Sequence, residues 1–83
     1  MTVRDTPRDR LYQAIGGVLG LAPAAIESET SPETVSTWDS LNHLNLVMAL
    51  ETEFGIALTP EQVFDIRNVG TMLTILREHG IDV

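Results

Sequence analysis

The sequence predicts a small all-α domain, a four-helix bundle with a long loop between the first and second helices and a short third helix. Three observations carry that expectation. Apolar residues recur at spacings of three and four. Helix starts are marked by cap residues, twice with a proline behind them. No segment alternates with the two-residue period of a strand. With 83 residues there is room for one domain, expected to span 1–83. A domain of this size buries only about 60% of the surface its unfolded chain exposes, so its core must be economical.

The first helix opens at Thr6-Pro7, a cap followed by a first-turn proline, and Asp9 adds a favourable charge to that turn. Leu11, Ile15 and Val18 supply one apolar face, ending near Gly20. Gly16 and Gly17 each cost about 1 kcal/mol against alanine inside a helix, and small residues there would allow close packing. Residues 21–38 are rich in Pro, Ser, Thr and Glu and form a long loop, tied to the core by Leu21 and Ile26, with a turn at Pro32. Loops of this length in compact domains are often functional.

The second helix is expected over residues 40 to about 54, capped by Asp39, with Leu46, Leu50 and Phe54 buried and Gly55 as its stop. Thr59-Pro60-Glu61-Gln62 combines a cap, a proline and a reach-back glutamine, which starts a short helix running to about residue 66. Asn68 caps a last helix carrying Met72, Leu73, Ile75 and Leu76 and stopping at Gly80.

Charge and composition exclude several functions. The net charge is −7, from five arginines and twelve acids, with no lysine. Between positions 11 and 66 there is no Lys or Arg, while Glu27, Glu29, Glu33, Asp39, Glu51, Glu53, Glu61 and Asp65 all fall there. Such a field repels phosphate backbones, so no nucleic-acid partner is expected, and it steers basic protein surfaces toward the domain. Acidic surfaces also serve solubility alone. The chain has no cysteine, hence no disulfide or thiolate metal site, and two histidines far apart make a metal centre improbable. The polar N-terminus has no apolar h-region, and the most apolar stretch, 15–26, is too short to span a bilayer. A soluble, cytoplasmic monomer is expected.

Asp39-Ser40-Leu41 lies where the long loop meets the second helix. A serine at a helix start has unpaired backbone N–H groups and the positive end of the helix dipole beside it, which suits a phosphate ester. Asp39 could hold a metal ion or a basic group of a modifying enzyme. Taken alone, the tripeptide is a weak signal and reads better as a simple cap. A hydrolase finds little support, since Ser40 has no Gly-x-Ser-x-Gly setting.

The surroundings decide between these readings. The run at 38–56, with Asp39-Ser40-Leu41, Leu46-Val47-Met48-Ala49-Leu50-Glu51 and Glu53-Phe54-Gly55-Ile56, closely resembles the second helix of acyl carrier proteins of fatty-acid and polyketide synthesis. The spacing to Thr59-Pro60-Glu61 and to Asn68-Val69 also fits, so the similarity covers nearly the whole chain. The resemblance implies that Ser40 receives 4′-phosphopantetheine from coenzyme A, with Asp39 and Leu41 flanking the attachment point. It implies a non-catalytic carrier that holds acyl groups as thioesters. Its expected partners are a phosphopantetheinyl transferase and acyl-loading and acyl-processing enzymes with basic docking surfaces.

Ser40, Leu44, Met48 and Glu51 follow one another at spacings of four, four and three, on a stripe separate from the core stripe. Leu44, Met48 and Glu51 there resemble the partner-docking surface of acyl carriers. Leu44 and Met48 could instead flank the core. Asn42, Asn45 and Thr52 are neutral where carriers of primary fatty-acid synthesis have more acids, Trp38 replaces a small residue, and His43 is added. In their plainest roles Trp38 anchors the loop and His43 is a solvated surface side chain. Together these departures favour a discrete carrier of a polyketide or hybrid pathway. The alternatives are an aminoacyl or peptidyl carrier, and an unmodified helical interaction module in which Ser40 only caps.

Overall fold

The computed structural model describes residues 6–83, which form α1 (Pro7–Leu19), a 3-10 turn (Pro23–Ala25), α2 (Ser40–Phe54), α3 (Pro60–Asp65) and α4 (Val69–Glu78). Among the described residues there are four α-helices and no strand, as the spacings predict. No helix among them is long and apolar enough to cross a membrane.

The helix starts follow their sequence signals. Thr6 accepts from the Asp9 N–H at 3.1 Å, with Pro7 at the first helical position. Thr59 and Gln62 form a reciprocal capping box on α3, and Asn68 and Thr71 form another on α4. Gly20 (φ 73°) and Gly55 (φ 64°) end α1 and α2 in the left-handed region, where a side chain would be strained.

One core joins all four helices. Leu11, Ile15 and Leu19 of α1 meet Leu46, Val47 and Leu50 of α2 and Val69, Met72, Leu73, Ile75 and Leu76 of α4. Two expectations are adjusted here. On α1 the buried stripe runs through Leu19, with Val18 half-buried at its margin, because the chain folds back at Gly20 on the Leu19 side. On α2 Phe54 is only half-buried at the margin of the core, with the Arg10 guanidinium of α1 over its ring, 5.3 Å from the centroid.

The two mid-helix glycines have different reasons. A Cβ on Gly16 would collide with the main-chain carbonyl oxygen of Leu21, whereas one on Gly17 would meet open space. Gly16 therefore lets the chain return against α1, and Gly17 has no such duty.

The long loop is organised rather than slack. Ile26 and Trp38 are buried, and the 3-10 turn over Pro23–Ala25 was not foreseen from the sequence, since three residues are too few for a periodic signal. Ser28 and Thr30 offer their carbonyls to the N–H groups of Gly70 and Val69, at 2.9 and 3.0 Å. Those amides at the start of α4 lack intrahelical partners, so the loop satisfies them.

Candidate functional site

The corner that presents Ser40 is built by a chain of side-chain bonds. Thr37 donates its hydroxyl to the Leu19 carbonyl at 2.7 Å, fixing the end of the loop to the end of α1. Asn42 on the first turn of α2 donates to the Thr37 carbonyl at 2.7 Å, and Asn45 in turn donates to Asn42 Oδ1 at 3.1 Å. The neutral Asn42 and Asn45 thus act as donors that shape the corner. Acids at those positions could not donate these bonds.

Ser40 is the first residue of α2 and is exposed. Asp39 caps the helix, its Oδ1 accepting from the Asn42 N–H at 2.8 Å. That bond serves one of the orphan donors at the helix start. The N–H groups of Ser40 and Leu41 make no hydrogen bond among the described residues, nor does the Ser40 hydroxyl. A phosphate ester placed on Ser40 would therefore meet two available donors and the positive end of a 15-residue helix. The donor set fits such a group.

Beside Ser40 lies an open groove of about 570 Å³ between α2, the loop and α3, walled by Trp38, His43, Leu44, Phe64 and Ile66. Its rim and the adjoining face of α2 are unusually apolar for exposed positions: Leu41 is 68% exposed, Leu44 55%, Met48 56% and Phe64 83%. Leu44 and Met48 thus stand clear of the core, which removes the reading in which they flank it. Phe64 belongs to the same rim yet carries no sequence signal. Its helix is six residues long, too short for periodicity to tell which of Val63 and Phe64 points out.

Glu51 differs from its expected partners on the stripe. It is half-buried, and its Oε2 accepts from the Leu58 N–H at 2.9 Å, so it organises the loop between α2 and α3. Asp39, which lines the groove, and Asp65, between its lining residues Phe64 and Ile66, are both exposed.

Trp38 and His43 form one unit. The indole Nε1–H donates to His43 Nδ1 at 3.1 Å, and Trp38 is only 3% exposed, so it anchors the loop as expected. The two ring planes are inclined by 24° with centroids 6.3 Å apart, which fits this in-plane bond. His43 is not the solvated side chain expected from sequence. It is half-buried, and its Nε2 lies 3.0 Å from the Val63 carbonyl of α3. The burial of the indole decides this, because a buried indole N–H needs an acceptor and His43 lies one helical turn beyond Asp39.

Residues 9–76 match a family model described as the phosphopantetheine attachment site. The chain belongs to that family of helical carrier domains, which bear a covalent 4′-phosphopantetheine group. Members of the family are generally non-catalytic and are served by phosphopantetheinyl transferases and biosynthetic enzymes.

Proposed function

We propose that this protein is an acyl carrier and that Ser40 is its attachment residue. One observation carries the assignment: Ser40 is an exposed hydroxyl at the first position of α2, flanked by two available backbone donors, at the mouth of an apolar groove. In modification, Ser40 Oγ loses its proton to a base of the transferase and bonds to phosphorus. The phosphoanhydride bond of coenzyme A breaks as that ester forms, and adenosine 3′,5′-bisphosphate leaves with the bond's electron pair. The arm supplies a thiol, in a chain that has none of its own, on which acyl groups are held as thioesters.

The chain's own residues supply position and recognition. The Ser40 and Leu41 amides would hold the phosphate oxygens, and Asp39 keeps the helix start intact while its second oxygen would be open to a cation of the transferase. Leu41, Leu44 and Met48, with Glu51 at the far end, form the face on which partners dock. The neutral asparagines and the Trp38–His43 unit favour a dedicated polyketide or hybrid pathway over general fatty-acid synthesis.

Intact mass after incubation with coenzyme A and a promiscuous transferase tests the assignment. One phosphopantetheine should be added to the wild type and none to Ser40→Ala. Ser40 is exposed, so that variant should keep its stability to within about 0.5 kcal/mol. An unmodified wild type makes the domain an interaction module instead. Loading of the modified protein with amino acids in preference to carboxylic acyl groups makes it an aminoacyl carrier.

A further inference from the structure

The third helix is held by Val63, which packs against the core, and by a set of side-chain bonds. It has six residues, well short of the roughly 12–15 that an isolated helix needs to be even marginal, and none of them is buried. Its first turn is closed by the Thr59–Gln62 capping box. Toward α4, Gln62 donates to Glu78 at 3.2 Å, and its Oε1 lies 3.1 Å from His79 Nε2. Toward α2 the side-chain bond is the one between His43 Nε2 and the Val63 carbonyl, which lies in the last turn of α3 and lacks an intrahelical partner.

The bonding fixes the protonation pattern of His43. A carbonyl only accepts, so Nε2 must carry a hydrogen, and an indole only donates, so Nδ1 must be bare. Only the neutral Nε2–H imidazole satisfies both neighbours at once. The contacts therefore link the buried Trp38 of the loop, the first turns of α2 and the last turn of α3 through a single ring. Phe64, the residue after Val63, is carried by the same helix to the rim of the groove at which Ser40 sits.

We propose that His43 is a positioning residue. Its neutral imidazole latches α3 to α2, so that enzymes acting at Ser40 meet one preformed apolar face with Phe64 held at its edge. The occupant of that face is a partner protein with an apolar pocket bordered by basic side chains, since the exposed Asp39 lines the groove and the exposed Asp65 stands between its lining residues Phe64 and Ile66. A mobile α3 would make each encounter search for the docked arrangement, so the latch acts on productive binding rather than on transfer at Ser40 itself. This rests on the carrier assignment above.

The test uses the unmodified full chain and His43→Phe, which keeps an aromatic ring and removes both bonds, alongside His43→Gln, which can still donate to Val63. In the wild type, nitrogen chemical shifts of His43 should show the Nε2–H tautomer. In His43→Phe the Trp38 indole proton should move upfield, and amide exchange at 63–65 should quicken by up to about tenfold, the loss of one hydrogen bond. Exchange in α1 should stay as it was. In transferase kinetics KM should rise severalfold with kcat nearly unchanged, and His43→Gln should recover part of both effects. An Nδ1–H tautomer, or His43→Phe with wild-type α3 exchange and wild-type KM, overturns the latch. Absence of modification in the wild type overturns the carrier assignment instead, while the exchange data still decide whether His43 holds α3.

Discussion

Arg10 on α1 grips Glu53 on α2 twice, from Nε to the carboxylate Oε2 and from Nη2 to the main-chain carbonyl, each at 2.7 Å. That carbonyl is among the last of α2 and has no intrahelical partner, so the guanidinium serves as a cap delivered from another helix. The pair is 38% and 37% exposed, which limits its ionic part to about 0–1 kcal/mol. Arg10 also shields the Phe54 ring. Lysine cannot make both bonds and lie flat over a ring. Arg10→Lys should therefore lose about 1 kcal/mol in a urea melt, and a melt matching the wild type would show that the grip contributes nothing to stability.

Two adjacent glycines should respond with opposite signs. Gly17 faces open space in mid-helix, so Gly17→Ala should stabilise the domain by about 0.5–1 kcal/mol. At Gly16 the new methyl would strike the Leu21 carbonyl, and main chain cannot yield as a flexible side-chain tip can. Gly16→Ala should destabilise despite its better helix propensity. Thermal melts of the two variants decide it, and stabilisation by both would mean that the return at 20–21 relaxes without cost.

Leu50 and Met48 separate the two faces of α2. Leu50 is 1% exposed, and Leu50→Ala should cost about 2–5 kcal/mol. Met48 is 56% exposed, and Met48→Ala should stay within about 0.5 kcal/mol of the wild type. Chemical denaturation of both reads the difference directly. Equal losses would place Met48 in the core and remove it from the docking face.

Exposed charge should govern the encounter with partners more than the lifetime of the complex. Raising salt should slow modification, because exposed charges are screened beyond about 8 Å at physiological ionic strength. Charge reversal at Asp65, which is exposed and near the groove, should lower kcat/KM while circular dichroism stays unchanged. Reversal at Glu51 should instead perturb folding, since it removes the acceptor of the Leu58 N–H. Rates indifferent to both salt and Asp65 reversal would leave the acidic surface with solubility as its only role.

What the sequence determined by itself was the local chemistry of the helix ends. Cap residues, prolines and glycine stops act within one turn of chain, so Thr6, Asp39, Thr59, Asn68, Gly20 and Gly55 could be assigned their duties without tertiary information. The exposed Ser40 at a helix start was legible for the same reason, and the spacing of Leu46 and Leu50 revealed the buried face of a 15-residue helix. Tertiary structure alone decided the rest. Which side of α3 faces out, the burial of Trp38 and the double bonding of His43 depend on neighbours 5 and 20 residues away in sequence. Glu51 is similar: on the helix it belongs to the outer stripe, yet a backbone N–H brought back by the following loop claims its carboxylate. Periodicity reports the face a residue occupies, whereas the partner it meets is set by where the chain returns.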